Sequence, residues 1–148
     1  MTDFPEALVG ELAKKSGIVW ISYHGHAHPV WHEWVGDAVC VVANGTEQPL
    51  PGIQSQPTVT LILRSKTNRQ LIAEAEATVE LLTPESEHWD VVTSTLRTGR
   101  LNLPDRGDAI GRWSRECQIV RLIPTGVITL AADVPAVIGQ SVPHLARR

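Results

Sequence analysis

Three histidines, His24, His26 and His28, stand two residues apart, and Glu33 follows five residues after His28. Alternate residues of a continuous strand share a face. Imidazole nitrogens and a carboxylate are the ligands that hold zinc or iron, and such a site needs at least three of them. His26, His28 and Glu33 are therefore the candidate metal set. Gly25 and Pro29 interrupt the strand where continuity is needed, and the next histidine after His32, His88, falls in a helical pattern. The alternative reading is a His-rich hairpin tip.

A second set has the chemistry of anion binding. Arg64, Ser65, Lys66 and Thr67 close an alternating apolar run. Two cations flanking a hydroxyl at a strand end can hold a phosphate through charge-assisted hydrogen bonds. A solvated strand end is the alternative. Arg112 and Arg115 are further candidates, set against an exposed helix face. Nucleophilic chemistry has weaker support: Cys40 and Cys117 lie in apolar stretches and read as buried reduced thiols. Glu74 and Glu76 share the wet face of a strand, and no Ser or Cys sits on a Gly-rich elbow.

The elements that must position these residues follow from periodicity. Asp3 to Ser16 reads as a helix with Phe4, Leu8 and Leu12 on one face. Lys14 and Lys15 suit its C-terminal end, and Gly17 lies beyond it. Strands are expected at Ile18–Tyr23, His28–Val35 and Ala38–Ala43, with turns at His24–Ala27, Gly36–Asp37 and Asn44–Gly45. A short helical turn is expected within Leu50–Ser55. Thr58–Arg64 and Leu71–Leu82 alternate cleanly. On the second, Ala73, Ala75, Ala77, Val79 and Leu81 form the apolar face, the mark of an antiparallel sheet wet on one side. Thr83-Pro84-Glu85 reads as a helix start, with Trp89, Val92 and Leu96 as its stripe and Gly99 at its end. A second short helix is expected over Asp105–Arg115. Cys117–Ile123 reads as a final strand stopped by Pro124, and Val127–Leu130 as an edge piece. The tail 135–148 reads as loosely held.

These elements make one domain over residues 1–148, with its core at about 4–124. The class is mainly β (α+β): six or seven antiparallel strands in a small barrel, with two to three peripheral helices. Hydrophobic content of 43% and charged content of 20% are those of a globular chain. A net charge of −3 excludes an overall basic field for nucleic acid. No apolar run is long enough to span a membrane, and the acidic N-terminus does not read as a signal peptide, so a cytoplasmic protein is expected.

The order of motifs resembles a known family. Pro29-Val30-Trp31, Gly36-Asp37, Asn44-Gly45-Thr46, Leu50 to Ile53 and Pro57-Thr58-Val59 match, in order and spacing, the pyridoxamine 5'-phosphate oxidase-like flavin-binding split barrels. The likeness covers about residues 4–124. The segments RLNLPD and RWSRECQIVRLIP look like an actinobacterial branch. The resemblance implies a split β-barrel homodimer binding FMN, or a deazaflavin coenzyme, in a cleft, and hydride transfer to or from a small molecule. By position, Val30, Trp31 and His32 would run beside the ring. Asn44, Gly45, Thr46 and Glu47 would border the phosphate side, and Arg64, Ser65 and Lys66 would meet the phosphate. One departure stands out. The loop before the short helix reads Glu47-Gln48-Pro49, where flavin-binding members commonly carry a lysine. An acid there costs phosphate affinity unless it is paired, and Pro49 removes an amide donor. A non-catalytic split-barrel dimer holding another small ligand, or none, is the alternative.

Overall fold

The computed structural model of the protein describes residues 4–65, 70–100, 103 and 105–131. Helix α1 (Phe4–Lys15) is followed by strands β1 (Ile18–Tyr23), β2 (His26–Trp31), β3 (Glu33–Val35) and β4 (Ala38–Ala43). A 3-10 turn at Ile53–Ser55 precedes β5 (Thr58–Arg64) and β6 (Leu71–Leu82). Then come α2 (Trp89–Gly99), a 3-10 turn at Arg106–Asp108, α3 (Ala109–Glu116) and β7 (Gln118–Leu130). No helix among the described residues is long and apolar enough to cross a membrane.

The seven strands form one sheet in the order β2-β1-β5-β6-β7-β4-β3, and every pairing is antiparallel. The two edge strands, β2 and β3, are separated in the chain by His32 alone. One residue advances the chain by only about 3.3 Å. The sheet must therefore curl until its two edges meet at that corner, which makes a split barrel.

Two cores follow from this curl. Val19, Ile21, Val30, Val39, Val41, Leu61, Leu63, Ala75 and Leu122 fill the barrel, closed by Val9 and Ala13 of α1. Ala38, Cys40, Val42, Leu82 and Ile119 turn outward and are covered by Trp89, Val92 and Leu96 of α2 and Trp113 of α3. Strand β4 lies between the two cores and is buried at all six positions. A strand buried on both faces reads as an unbroken apolar run, as AVCVVA does.

Several sequence expectations are corrected. The expected strand His28–Val35 is two strands, because the chain turns the barrel corner at His32. The β1–β2 turn is His24-Gly25 alone, with both residues at positive φ, and His26 already pairs with Tyr23. Helix α2 starts at Trp89 rather than at Thr83. The Ser86 hydroxyl accepts the Thr83 amide and the Ser86 amide bonds the Thr83 carbonyl, so these residues close a turn of their own. Leu81 is 40% exposed, and Leu82 is the buried residue, because the far end of β6 faces α2 rather than the barrel. Strand β7 runs through Pro124 instead of stopping there. Ala75 pairs with Ile128 and Ala77 with Pro124, so residues 125–126 bulge out, with Gly126 at φ 102°. A bulge is where proline's missing N–H costs the ladder least. The tail 135–148 lies outside the described residues.

Candidate functional site

The residues singled out for chemistry fall into four places. His26 and His28 sit at the barrel mouth with ring centroids 6.4 Å apart, and His28 stacks on Tyr23 at 5.0 Å. Glu33 lies beyond the corner, its carboxylate against Gly99 of α2. Among the described residues, no group of three or more His, Cys, Asp or Glu side chains is arranged to hold a metal ion. Cys40 is buried, and desolvation pushes its thiol up to about 12, which leaves it unreactive near neutrality. Cys117 is half-buried rather than buried.

The barrel corner holds the second set. Val30 points into the barrel core, and His32 is buried beside the end of α1. The His32 Nε2 lies 2.9 Å from the Ala13 carbonyl, so Nε2 carries the proton of the neutral ring. Burial lowers the His32 pKa, and the bond to Ala13 opposes that shift. Neither side chain is available to a ligand on the outer surface.

The third set lies on the outer face of the sheet. Strand β1 alternates, so Val19 and Ile21 go inward while Ile18 and Trp20 go outward. Trp20 pairs with Pro29 of β2 and with Ile62 of β5. The Arg64 guanidinium lies over the Trp20 ring, 5.8 Å from its centroid. Ile18, Trp20, Pro29, Arg64 and Ser65, with Ser16 and Gly17, line a cavity of about 450 Å³. Lys66 lies outside the described residues.

The fourth set is the loop after β4. Asn44 and Gly45 take left-handed conformations at φ 66° and 60°. A Cβ on Gly45 would stand 2.2 Å from the Glu116 carbonyl oxygen, so only glycine fits. The Asn44 side chain accepts the Leu50 amide at 2.8 Å and donates to Leu50 O and Gln118 Oε1. Gln48 stitches the loop to β2: its Oε1 accepts the Trp31 amide at 2.7 Å, and its Nε2 donates to the Trp31 and Val42 carbonyls.

Glu47 is turned inward, with its side chain only 3% exposed. Arg100 donates to its Oε1, and Arg112 lies 3.2 Å from its Oε2. The Trp113 indole Nε1 donates to Oε2 at 3.0 Å. Arg112 also grips Asp105 with two donors, at 2.7 and 3.1 Å, and donates to the Thr46 hydroxyl at 2.5 Å. These bonds hold the Asp105 carboxyl below its ordinary range and push the Arg112 guanidinium up. Arg100 in turn covers the Trp31 ring at 5.3 Å. Arg112 was legible as a candidate cation. Arg100 and Trp113 were not, because nothing in their local sequence points toward this loop, and Gln48 was legible as a loop residue but not as the bridge to Trp31.

This geometry decides how a phosphate-bearing flavin would fit. The loop does not suit its phosphate: a carboxylate already sits between the two guanidiniums, and the Asn44 and Gln48 amides are engaged internally. The cavity beside Trp20 suits better, with an apolar wall for a ring and an Arg and a Ser at its edge. Trp31 faces the loop rather than this cavity.

No family profile matches the sequence, and no curated protein does. Solved structures with a similar fold include the heme storage protein HutZ from Vibrio cholerae, with a TM-score of 0.61 at 13% identity, covering 89% of this chain and 96% of that one. A provisionally named pyridoxamine 5'-phosphate oxidase from Listeria innocua gives 0.54 at 13% identity, over 84% of this chain and 96% of its own. A FAD-binding protein from Mesorhizobium loti gives 0.52 at 11% identity, over 81% and 87%. Likeness at such identities is likeness of fold: the chain shares the split-barrel fold of these proteins.

Proposed function

We propose that the protein is an oxidoreductase-like split barrel that binds a flat aromatic cofactor of the flavin class, FMN or a deazaflavin coenzyme, on the outer face of β1 and β2. The observation that carries this reading is the cavity of about 450 Å³, where Ile18, Trp20 and Pro29 make an apolar wall beside Arg64 and Ser65. A ring laid on that wall removes apolar surface from water. The Arg64 guanidinium and the Ser65 hydroxyl then donate to the anionic tail. Such a cofactor, when bound, supplies hydride transfer to or from a small molecule. The chain's part is to hold the ring, exclude water and orient the tail. Ile18, 47% exposed at the rim, offers apolar surface for a second copy to cover, in line with a homodimer. The FAD-binding and oxidase-named neighbours support the cofactor class.

Glu47 favours a second reading: a non-catalytic split-barrel dimer whose ligand carries no phosphate at the Asn44–Glu47 loop. The absorbance spectrum of the purified protein, followed by titration with FMN, riboflavin and a deazaflavin, separates the two. Saturable micromolar binding of FMN or deazaflavin supports the first. A colourless protein that takes up none of the three overturns it.

A further inference from the structure

We propose that Arg100, Arg112 and the Trp113 indole form an oxyanion seat whose resident occupant is the chain's own Glu47 carboxylate, so that phosphate-class ligands are shut out until that carboxylate leaves. Three donors converge on one buried carboxylate: Arg100 on Oε1, Arg112 and Trp113 Nε1 on Oε2. An ordinary buried ion pair holds its partners in place through each other. Here each donor has a support other than Glu47. Asp105 takes two donors of Arg112, and the Thr46 hydroxyl accepts from another of its nitrogens. Arg100 rests on the Trp31 ring. Trp113 is fully buried in the core beneath α3. The seat is therefore preorganised, and taking Glu47 away leaves the donors aimed at one point.

The seat is also reachable. Thr46, Glu47, Arg100, Asp105 and Arg112 line a cavity of about 430 Å³. With Glu47 in place, the two guanidiniums face two carboxylates, Glu47 and Asp105, and an arriving phosphate finds no net positive charge. Without Glu47, two cations face one acid. A planar fork of guanidinium donors beside an indole N–H suits a small oxyanion such as formate or phosphate.

The test uses inorganic anions, so its failure is distinct from failure of the cofactor reading. Thermal unfolding is followed for the wild type, Glu47→Ala and the double variant Glu47→Ala/Arg112→Ala, in phosphate, formate or chloride at matched ionic strength. Phosphate or formate shifts the wild type and the double variant by the same small amount relative to chloride, which takes in salting-out and any anion held at Arg64. Glu47→Ala falls by about 10 °C, and phosphate or formate, but not chloride, restores about 3 °C or more. The double variant shows no such rescue. A salt response of Glu47→Ala no larger than that of the wild type overturns the proposal, as does a rescue that persists without Arg112. If Glu47→Ala does not fold, Glu47→Gln is used. Its neutral amide has no charge to hold it in the seat, so phosphate raises its Tm more than it raises that of the wild type, and the absence of that excess overturns the proposal.

Discussion

Arg100 lies over the Trp31 ring, its guanidinium carbon 5.3 Å from the ring centroid. The same guanidinium donates to the Glu47 carboxylate. One side chain at the end of α2 thus ties an outward aromatic residue of β2 to the loop after β4.

Replacing Arg100 by alanine removes both contacts and leaves Glu47, nearly inaccessible, with Arg112 and Trp113 alone. Arg100 is 27% exposed, which weakens its share of the pair. The expected loss is about 2 kcal/mol in urea unfolding. Arg100→Lys recovers part of it, because charge survives while the planar stacking face does not. A variant as stable as the wild type would show that the clamp holds without Arg100.

Gly45→Ala places a Cβ against the Glu116 carbonyl oxygen, in a backbone at φ 60°. Neither the main-chain atom nor the left-handed turn can yield cheaply. A loss of about 3 kcal/mol or more is expected in the same measurement. Gly36→Ala is the control, since its Cβ would meet open space at a similar φ. Its loss should be about 1 kcal/mol, and equal losses would place the cost in the backbone angle alone.

Acid sensitivity follows from His32. Its buried ring has a pKa below the ordinary 6.5, with desolvation as the main cause. As pH falls below that value, the unfolded chain takes up a proton that the folded chain refuses, so stability is lost across that window. Glu33, raised by its own burial, acts in the opposite sense at lower pH. His32→Gln keeps a donor for Ala13 and cannot titrate. Between about pH 7 and about pH 5 the wild type should lose more Tm than this variant. Parallel profiles would remove His32 as the cause.

Much of the barrel was legible because alternation reports faces directly. Thr58–Arg64 and Leu71–Leu82 were bounded to the residue, since each buries one face against the barrel and wets the other over most of its length. The corner at His32 was not legible. A chain that turns there reads locally as one strand, and only the pairing of β2 with β1 and of β3 with β4 separates the two. The continuation of β7 through Pro124 was hidden for a similar reason, because a bulge depends on the partner strand. The anion clamp was least legible of all. Glu47 was marked as an acid that needed pairing, but its partners lie 53 residues away at Arg100 and 66 at Trp113, on helices whose placement a local pattern cannot give.

The most direct test of the cofactor reading compares FMN with riboflavin on the wild type and on Arg64→Ala. The two ligands share a ring and differ by one phosphate. If Trp20 and Pro29 carry the ring and Arg64 the phosphate, Arg64→Ala weakens FMN by about tenfold or more and leaves riboflavin within about twofold. Equal weakening of both, or no saturable binding of either to the wild type, would contradict the account.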